Sequence, residues 1–251
     1  MKTKVFNLRN ALLLNWLLII LLYTCAKDEI KNSDNPSNDR TTANFNPDKL
    51  YGTVIDIDGN IYNTIIIGTQ EWMAENLRTT HYQNGENIPE IMEIDAWRDL
   101  SIGALCNYQN THNLDSIATY GRLYNWYAVN DNRKLAPRGW HIPSMDEWSI
   151  LFDYLGGDSV AGCKLKESGV AHWIQNNYES INETGFTALP GGHRTYERDF
   201  IRMGYNGSWW SNTDGGSTYN AFFIYFNNEN CDILNLLDDK LDGRSVRCLK
   251  D

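Results

Sequence analysis

Hydrophobic and polar positions along the chain mark its predicted elements. Between Tyr51 and Gly68, two runs rich in β-branched residues flank Asp58-Gly59, a pattern that predicts a β-hairpin. Asp56 and Asn60 beside this turn could suggest a calcium loop. The segment lacks the spaced acidic residues and the terminal glutamate of an EF-hand, so the prediction is a plain turn.

The strongest helix prediction begins at Ser144. Ser144 and Glu147 form a capping box, in which each side chain binds a backbone NH at the start of the helix. Gly156-Gly157 predicts the end of the helix. The apolar residues between them recur at i, i+3, i+4 and i+7, as expected of one buried face: Trp148, Leu151, Phe152 and Leu155.

A second helix is predicted between 120 and 129, where Leu123, Trp126 and Tyr127 fall at helical spacing. After it, short strand-like runs occupy 185–192, 207–211, 221–226 and 245–249, separated by turns rich in Gly and Asn. Strands first, two short helices in the middle and strands at the end predict an α+β domain. Because both ends of the domain are β-like, we expect them to pair in one sheet.

The amino terminus has the pattern of a targeting segment. Lys2, Lys4 and Arg9 precede an apolar run from Ala11 to Tyr23, which is shorter than the roughly 20 residues of a membrane-spanning helix. The run ends at Cys25 in a sequence similar to a lipobox. We therefore expect residues 1–24 to be a lipoprotein signal peptide and Cys25 to carry lipid, including palmitate; the alternatives are an ordinary secretory signal or an uncleaved anchor.

The residues after Cys25 add an expectation about location. Ala26-Lys27-Asp28-Glu29 is similar to the surface-export signal of Bacteroidetes lipoproteins, although any polar linker would also be charged. The expected location is the outer membrane, with the protein lipid-anchored and facing the cell surface. Residues 25–48 are polar and poor in apolar side chains, which predicts a lipidated flexible tether. The remaining segment, 49–251, has the size of one domain.

Charge narrows the choice of partners. The chain has 22 basic and 32 acidic residues, and removing the three basic residues of the signal leaves 19 against 32, a net charge of −13. This balance argues against nucleic acid as a partner. Four cysteines remain beside Cys25, which allows two disulfides in an exported protein and three pairings. They form no Cys-x-x-Cys motif, so no metal or cofactor is expected.

Several motifs, in order, resemble one family. They are Tyr120-Gly-Arg-Leu-Tyr-Asn-Trp-Tyr-Ala, Pro137-x-Gly-Trp-His-Ile-Pro-Ser-x-x-Glu-Trp148, Lys164-Leu-Lys-Glu, Gly185-Phe-x-Ala-Leu-Pro-Gly-Gly192, Trp210-Ser-x-Thr213 and Gly243-x-Ser-Val-Arg-Cys248. This set is similar to the Fibrobacter succinogenes major paralogous domain. The resemblance implies a C-type-lectin-like single domain with short antiparallel sheets, two short helices and long irregular loops. It also implies a relation in architecture to formylglycine-generating enzyme domains.

The resemblance also bears on the cysteines. Members of the family often carry a cysteine before the Pro137 motif, where this chain has Ala136. If Cys248 pairs with that position in the family, its partner here must differ or be missing. The candidate disulfides are Cys106 with Cys248 and Cys163 with Cys231.

Catalysis is not expected. The five histidines are each alone in the sequence, and His141 at the helix entry fits a hydrogen-bonded structural role. No Gly-x-Ser-x-Gly, His-Glu-x-x-His or phosphate-binding loop is present in the sequence. The tripeptides that bind calcium and sugar in C-type lectins are also missing from it.

A recognition surface is the remaining candidate. Residues 204–220 consist of small, hydrogen-bonding and aromatic residues, a mixture typical of antibody loops. The alternative is a turn-rich stretch with one or both tryptophans in the core. The candidate ligand-binding residues are Tyr205, Asn206, Ser208, Trp210, Asn212, Asp214, Tyr219 and Asn220.

The sequence therefore predicts a surface-exposed lipoprotein with a non-catalytic domain that binds a glycan or protein ligand. The alternative is a structural or assembly component of the cell envelope or of a surface appendage. A third reading, an oxidative enzyme that uses the cysteines, would be disfavoured by a disulfide at Cys248.

Overall fold

The computed structural model describes residues 35–174, 177, 179–197 and 200–251. The predicted signal peptide and the lipidation at Cys25 lie outside the described residues. Among the helices that are described, none has the length and apolar character needed to cross a membrane.

The described residues form twelve strands and five α-helices. The strands are β1 Gly52–Ile55, β2 Ile61–Ile67, β3 Gln70–Met73, β4 Leu105–Cys106, β5 Leu123–Tyr124, β6 Trp140–His141, β7 His193–Arg194, β8 Phe200–Ile201, β9 Asn206–Asp214, β10 Asn220–Asn227, β11 Ile233–Asp239 and β12 Leu249–Lys250. The helices are α1 Ile94–Arg98, α2 Leu114–Tyr120, α3 Trp126–Val129, α4 Met145–Tyr154 and α5 Asp158–Leu165.

A five-stranded sheet in the order β1-β2-β3-β12-β6 holds the two ends of the domain together. β1 and β2 form the predicted hairpin, with Ile55 opposite Ile61. In β12, Leu249 lies opposite Trp72 of β3 on one side and His141 of β6 on the other. The expectation that both ends of the domain share one sheet is therefore confirmed.

A second sheet, in the order β11-β10-β9, is antiparallel throughout. Trp209 and Trp210 are consecutive in β9, so their side chains point to opposite faces. Trp210 packs in one buried cluster with Tyr124 and Phe223, and Trp209 packs in another with Trp148. The sheet thus has a core on each face, and with the short β4-β5 and β7-β8 pairs it makes the domain α+β, as predicted.

Helix α4 follows its sequence pattern closely. The Oγ of Ser144 accepts from the backbone NH of Glu147, and the Glu147 carboxylate accepts from the backbone NH of Ser144 at 2.8 Å. The predicted apolar face is buried. Within it, the Trp148 ring lies 4.5 Å from the ring of Trp72 in β3, which joins the helix to the five-stranded sheet.

The second predicted helix is wrong. The segment 120–129 contains the end of α2, the strand β5 and the single-turn helix α3. Gly121 has a φ of +73° and approaches the backbone oxygen of Leu77 so closely that a Cβ would lie 2.7 Å from it. The Asn125 side chain then accepts from the backbone NH of Ala128 and starts α3. Leu123 consequently lies in a different cluster from Trp126.

The predicted tether is also wrong for residues 35–48, because the compact unit starts at Asn35. The Asn35 side chain donates to the backbone oxygen of Asp58 at 3.0 Å. The backbone NH of Asn44 donates to the buried carboxylate of Glu167 at 2.6 Å, and Phe45 packs against a core cluster. Polar side chains order this segment through hydrogen bonds that its composition does not reveal.

One of the two candidate disulfides is present. Cys163 in α5 is joined to Cys231, which precedes β11. The other pairing is wrong, since Cys106 and Cys248 are both buried free thiols. Cys106 packs with Trp97 in a small cluster, whereas Cys248 belongs to the larger cluster around Trp210, so the two side chains are held apart by the core.

Candidate functional site

Three of the predicted contact residues are buried and are not available to a ligand. Trp210 is fully buried and its indole NH donates to the backbone oxygen of Tyr124 at 2.8 Å. Asn206 and Ser208, on the same strand, are also buried. The prediction fails here because residues 206–211 of β9 pack against a core on each face of the sheet, so alternation along them exposes neither side.

Four of the remaining candidates are exposed, but they do not all converge. Tyr219 is 70% exposed at the β9–β10 turn, and Tyr205 is exposed outside that turn. Asp214 is engaged within the fold: its carboxylate accepts from Lys240 Nζ at 2.6 Å, and this bond holds the pKa of Asp214 below its usual value. Asn220, half-buried, starts β10.

Asn212 is the candidate that enters a cleft. This feature, here called the polar cleft, has a volume of about 280 Å³ and lies between the 129–136 segment, β6 and the exposed end of β9. It is lined by Val129, Asn130, Asp131, Asn132, Lys134, Leu135, Ala136, Trp140, His141, Ile142, Asn212 and Asp251.

A second cavity, here called the side pocket, lies on the other side of the same segment and shares Leu135 and Ala136 with the polar cleft. Its volume is about 270 Å³. It is lined by Ile55, Asp56, Ile57, Thr79, His81, Gln83, Leu135, Ala136, Pro137 and Arg138. The two cavities therefore flank a single stretch of chain, 134–138.

Gln83 holds this stretch in place. Its side-chain amide donates to the backbone oxygens of Ala136 at 2.6 Å and Pro137 at 3.1 Å, and its backbone NH donates to the oxygen of Lys134 at 2.9 Å. Nearby, the guanidinium of Arg133 lies 4.0 Å from the centre of the Tyr82 ring. A segment without regular secondary structure is thereby fixed at several points between the two cavities.

His141 forms one wall of the polar cleft and has a hydrogen-bond partner on each nitrogen. Nε2 lies 2.8 Å from Glu147 Oε1, and Nδ1 lies 2.8 Å from Asp251 Oδ1. Because Glu147 also closes the capping box of α4, the helix start fixes the ring. This geometry agrees with the hydrogen-bonded structural role expected for His141.

His81 lines the side pocket and is oriented by Asp58. Its Nδ1 lies 2.5 Å from Asp58 Oδ1, while the other carboxylate oxygen accepts from the backbone NH and the hydroxyl of Thr80. Burial opposes ionisation of Asp58, but the bonds from Thr80 and His81 prevail and lower its pKa. Asp58 therefore stays a carboxylate and keeps the ring in one orientation.

The acidic side chains at both cavities already accept hydrogen bonds from other residues of the domain. Burial raises the pKa of Asp56, whose carboxylate accepts from the Tyr62 hydroxyl at 2.6 Å and from Asn60. Hydrogen bonds from Arg133 lower the pKa of Asp131. Asp56 thus serves the turn between β1 and β2, in keeping with the plain turn predicted there.

The two free thiols, Cys106 and Cys248, are not nucleophiles at neutral pH. Burial raises the pKa of Cys106 to about 12 and that of Cys248 further still, so neither forms a thiolate at neutral pH. Among the described residues, the one group of potential metal ligands is Cys163, Glu179 and Cys231. Its two sulfurs are joined in the disulfide and are therefore not thiolate ligands.

Sequence reasoning missed most of the cleft. None of Asn130, Asp131, Asn132, Lys134 and Arg138 is among the candidate residues that the sequence indicates, and neither is His81. The available signal was the run of three amide and carboxylate side chains directly before the motif at Pro137. Their convergence with Asn212 depends on contacts across about 80 residues of chain, which no local pattern contains.

Residues 65–250 match the model of one protein family, the Fibrobacter succinogenes major domain. The chain belongs to the Fibrobacter succinogenes major domain family. No curated protein and no solved structure matches it. The matched range includes all of the polar cleft except Asp251, and it excludes the segment 35–48 that packs against the domain.

Proposed function

We propose that this chain is a surface-exposed lipoprotein whose domain binds a saccharide in the polar cleft without catalysing a reaction on it. Lipid on Cys25 would anchor the domain to the outer membrane. The short antiparallel sheets, the long loops and the family motifs support a C-type-lectin-like fold for this domain.

One observation carries the saccharide proposal. Asn130, Asn132 and Asn212 are exposed, line the same cleft, and make no side-chain hydrogen bond to any residue that the structure describes. Each carboxamide can donate two hydrogen bonds and accept two, which matches the hydroxyl groups of a sugar. Trp140 and Ile142 add an apolar wall, as polar ligand sites usually contain.

Two features support binding rather than catalysis. Both nitrogens of His141 are engaged by carboxylates, which leaves neither for proton transfer to a ligand. The free thiol of Cys248 is fully buried with a raised pKa, so the oxidative reading lacks an accessible thiolate. That reading is therefore disfavoured on a different ground from the disulfide that was expected.

The test is binding of the full chain, solubilised in detergent, to a broad glycan array with and without a chelator. We expect binding that survives the chelator, and Asn132→Ala and Asn212→Ala should each weaken it about tenfold, or about 1.4 kcal/mol. Asn235→Ala is the matched control, because Asn235 is an equally exposed carboxamide on β11 outside the cleft. Silence across the array, or equal binding by all three variants, would refute the proposal.

A role in envelope assembly is the second candidate, and one observation favours it. β11 is an edge strand of its sheet, and three of its leucines are exposed: Leu234 at 42%, Leu236 at 38% and Leu237 at 46%. Exposed apolar edges of this kind are sites at which another chain can add a strand.

Sedimentation velocity of the full chain tests the assembly role. Self-association that Leu236→Lys abolishes, while the control Ile150→Lys on α4 does not, would support it. A monomer at all concentrations, with no partner co-purifying from the envelope, would remove it.

A further inference from the structure

At the two cavities the carboxylate side chains have bonding partners, whereas two of the cationic side chains have none among the residues that the structure describes. Every side-chain carboxylate that lines them has a partner: Asp56 has the Tyr62 hydroxyl, Asp131 has Arg133, and Asp251 has His141. A carboxylate that is already bonded attracts an added cation less strongly than an open one. A cationic ligand would therefore find no open carboxylate side chain here.

The cations differ. Lys134 in the polar cleft and Arg138 in the side pocket are exposed, and neither side chain has a hydrogen bond or ion pair with any residue in the part of the chain that the structure describes. Arg133, one residue before Lys134, is by contrast fully used by Asp131 and Glu86. Two open positive charges thus remain at the cavities.

Both of these unpaired cations belong to the 134–138 stretch, whose backbone is held by hydrogen bonds from Gln83. Lys134 has a φ of +60°, a left-handed conformation that is unfavourable for a side chain of this size. Its backbone NH donates to the oxygen of Asp131, and its oxygen accepts from Gln83, which together hold it there. Arg138 lies four residues after Lys134, and the backbone oxygen of the preceding residue, Pro137, accepts from the same Gln83 side chain. Because the backbone is fixed, no backbone entropy of this stretch is lost when the two side chains bind a ligand.

We propose that the saccharide bound in the polar cleft carries anionic groups, carboxylates or sulfate esters. Lys134 binds one of them in the cleft, and Arg138 binds another in the side pocket on the other side of the 134–138 stretch. This inference rests on the proposed function and names the class of ligand. Arg138 offers the planar pair of donors that suits a carboxylate or sulfate, and Lys134 adds a point charge. The neutral hydroxyls are left to Asn130, Asn132 and Asn212.

The net negative charge of the chain bears on how an anionic ligand would be bound. With a net charge of −10 the protein repels anions at long range, so affinity for an acidic saccharide must come from contacts at short range. Two unpartnered cations, Lys134 in the polar cleft and Arg138 in the side pocket, supply such contacts. We expect them to govern affinity more than the rate of encounter.

The experiment measures affinity of the full chain in detergent for three probes by titration calorimetry. The probes are a tetragalacturonate, the same oligosaccharide with its carboxyl groups reduced to alcohols, and a sulfated tetrasaccharide of similar length. We expect one of the anionic probes to bind about 25-fold to 100-fold more tightly than the reduced one, because each of the two cations contributes about fivefold to tenfold. The tighter of the two anionic probes identifies carboxylate or sulfate as the recognised group.

The variants are Lys134→Gln and Arg138→Gln, with Arg202→Gln as the control for an exposed cation outside both cavities. Each of the first two should cost the anionic probe about fivefold to tenfold and the reduced probe less than about twofold, while the control changes neither. Equal affinity for the reduced and anionic probes would overturn the inference and leave the saccharide proposal standing. Failure of every saccharide on the array and in titration would overturn both.

Discussion

The imidazole Nδ1 of His81 lies 2.5 Å from Oδ1 of Asp58, and this contact fixes a ring that lines the side pocket. Asp58 belongs to the turn of the first hairpin, and Thr80 binds its other carboxylate oxygen. A turn that the sequence marks plainly is thus linked to a pocket that the sequence does not show. The same contact leaves Nε2 as the ring nitrogen of His81 that Asp58 does not bind.

Asp58→Asn should change the tautomer of His81. In the wild-type chain Asp58 accepts the Nδ1 proton, so the neutral ring should carry its proton on Nδ1 and leave Nε2 as an acceptor. The variant removes the carboxylate and should populate the Nε2–H form. Nitrogen-15 spectra of labelled histidine at alkaline pH report the two forms; identical spectra for both proteins would contradict the assigned contact.

Removing the cap of α4 should destabilise the domain modestly. Ser144→Ala deletes one half of the capping box, and the expected loss is about 1 kcal/mol of unfolding free energy. Ser149→Ala, on the exposed face of the same helix, should stay within about 0.5 kcal/mol of wild type. Urea denaturation measures both. Equal losses would show that the cap contributes nothing specific.

Arg247 is a buried cation whose removal should cost far more. It donates to Asn76 Oδ1 at 2.8 Å, to the oxygen of Thr187 at 3.0 Å and to that of Phe186. Arg247→Met leaves the backbone oxygens of Phe186 and Thr187 without this donor in the core, while Asn76 Oδ1 keeps its bond from Trp209, and the expected loss is about 3 kcal/mol. Arg98→Met, at an exposed site, should change the free energy of unfolding by less than about 0.5 kcal/mol. Similar values for the two would contradict the hydrogen-bond assignment.

The disulfide assignment predicts a definite thiol count. Without reductant, the denatured lipidated chain, whose Cys25 sulfur is in a thioether, should expose the thiols of Cys106 and Cys248 but not those of Cys163 and Cys231; an unlipidated chain should expose that of Cys25 as well. Replacing Cys163 and Cys231 together by alanine should cost about 4 kcal/mol, because the bridge closes a loop of 68 residues in the unfolded chain. A fragment that joins Cys106 to Cys248 after digestion would contradict the assignment.

Acid should destabilise the domain through His193. Burial, and after it the charge of Arg244, lowers its pKa to about 3, with Asp238 and Arg202 as the other charged neighbours. Between the unfolded value of about 6.5 and this folded value, the unfolded chain binds more protons than the folded one. Stability must then fall as the pH falls through this window, by at most about 1.4 kcal/mol per pH unit.

His193→Gln isolates this effect. Burial raises the pKa of Asp242, so as the pH falls the folded state takes up a proton there before the unfolded chain does, and this contribution acts in the opposite direction. The difference between variant and wild type removes that contribution. Urea denaturation from pH 7 to pH 4 should show the variant losing less stability than wild type; parallel curves would contradict the role of His193.

Local patterns predicted the local elements of this fold. The hairpin at Asp58-Gly59 and the capped helix at Ser144 formed as expected because their determinants lie within a few residues. The pairing of the two ends followed from their shared β character. The helix expected at 120–129 failed because Gly121 and Asn125 interrupt it for reasons of packing and capping.

The site depended on longer-range contacts. The sequence leaves open whether Trp210 lies on a contact surface or in the core, and the second sheet, with a core on each face, buries it. Asn212, two residues further along β9, is exposed and meets the 129–136 segment in the polar cleft. For this reason Trp210→Ala is a poor test of binding, since its loss would leave a large cavity in the core.

The most direct test of the central claim is hydrogen–deuterium exchange of the full chain with the tightest saccharide found on the array. We predict that the ligand slows exchange in 129–142 and in the end of β9 around Asn212, the segments that form the polar cleft. Protection confined to the β9–β10 turn at Tyr219 or to the edge strand β11, with none in 129–142, would contradict the account.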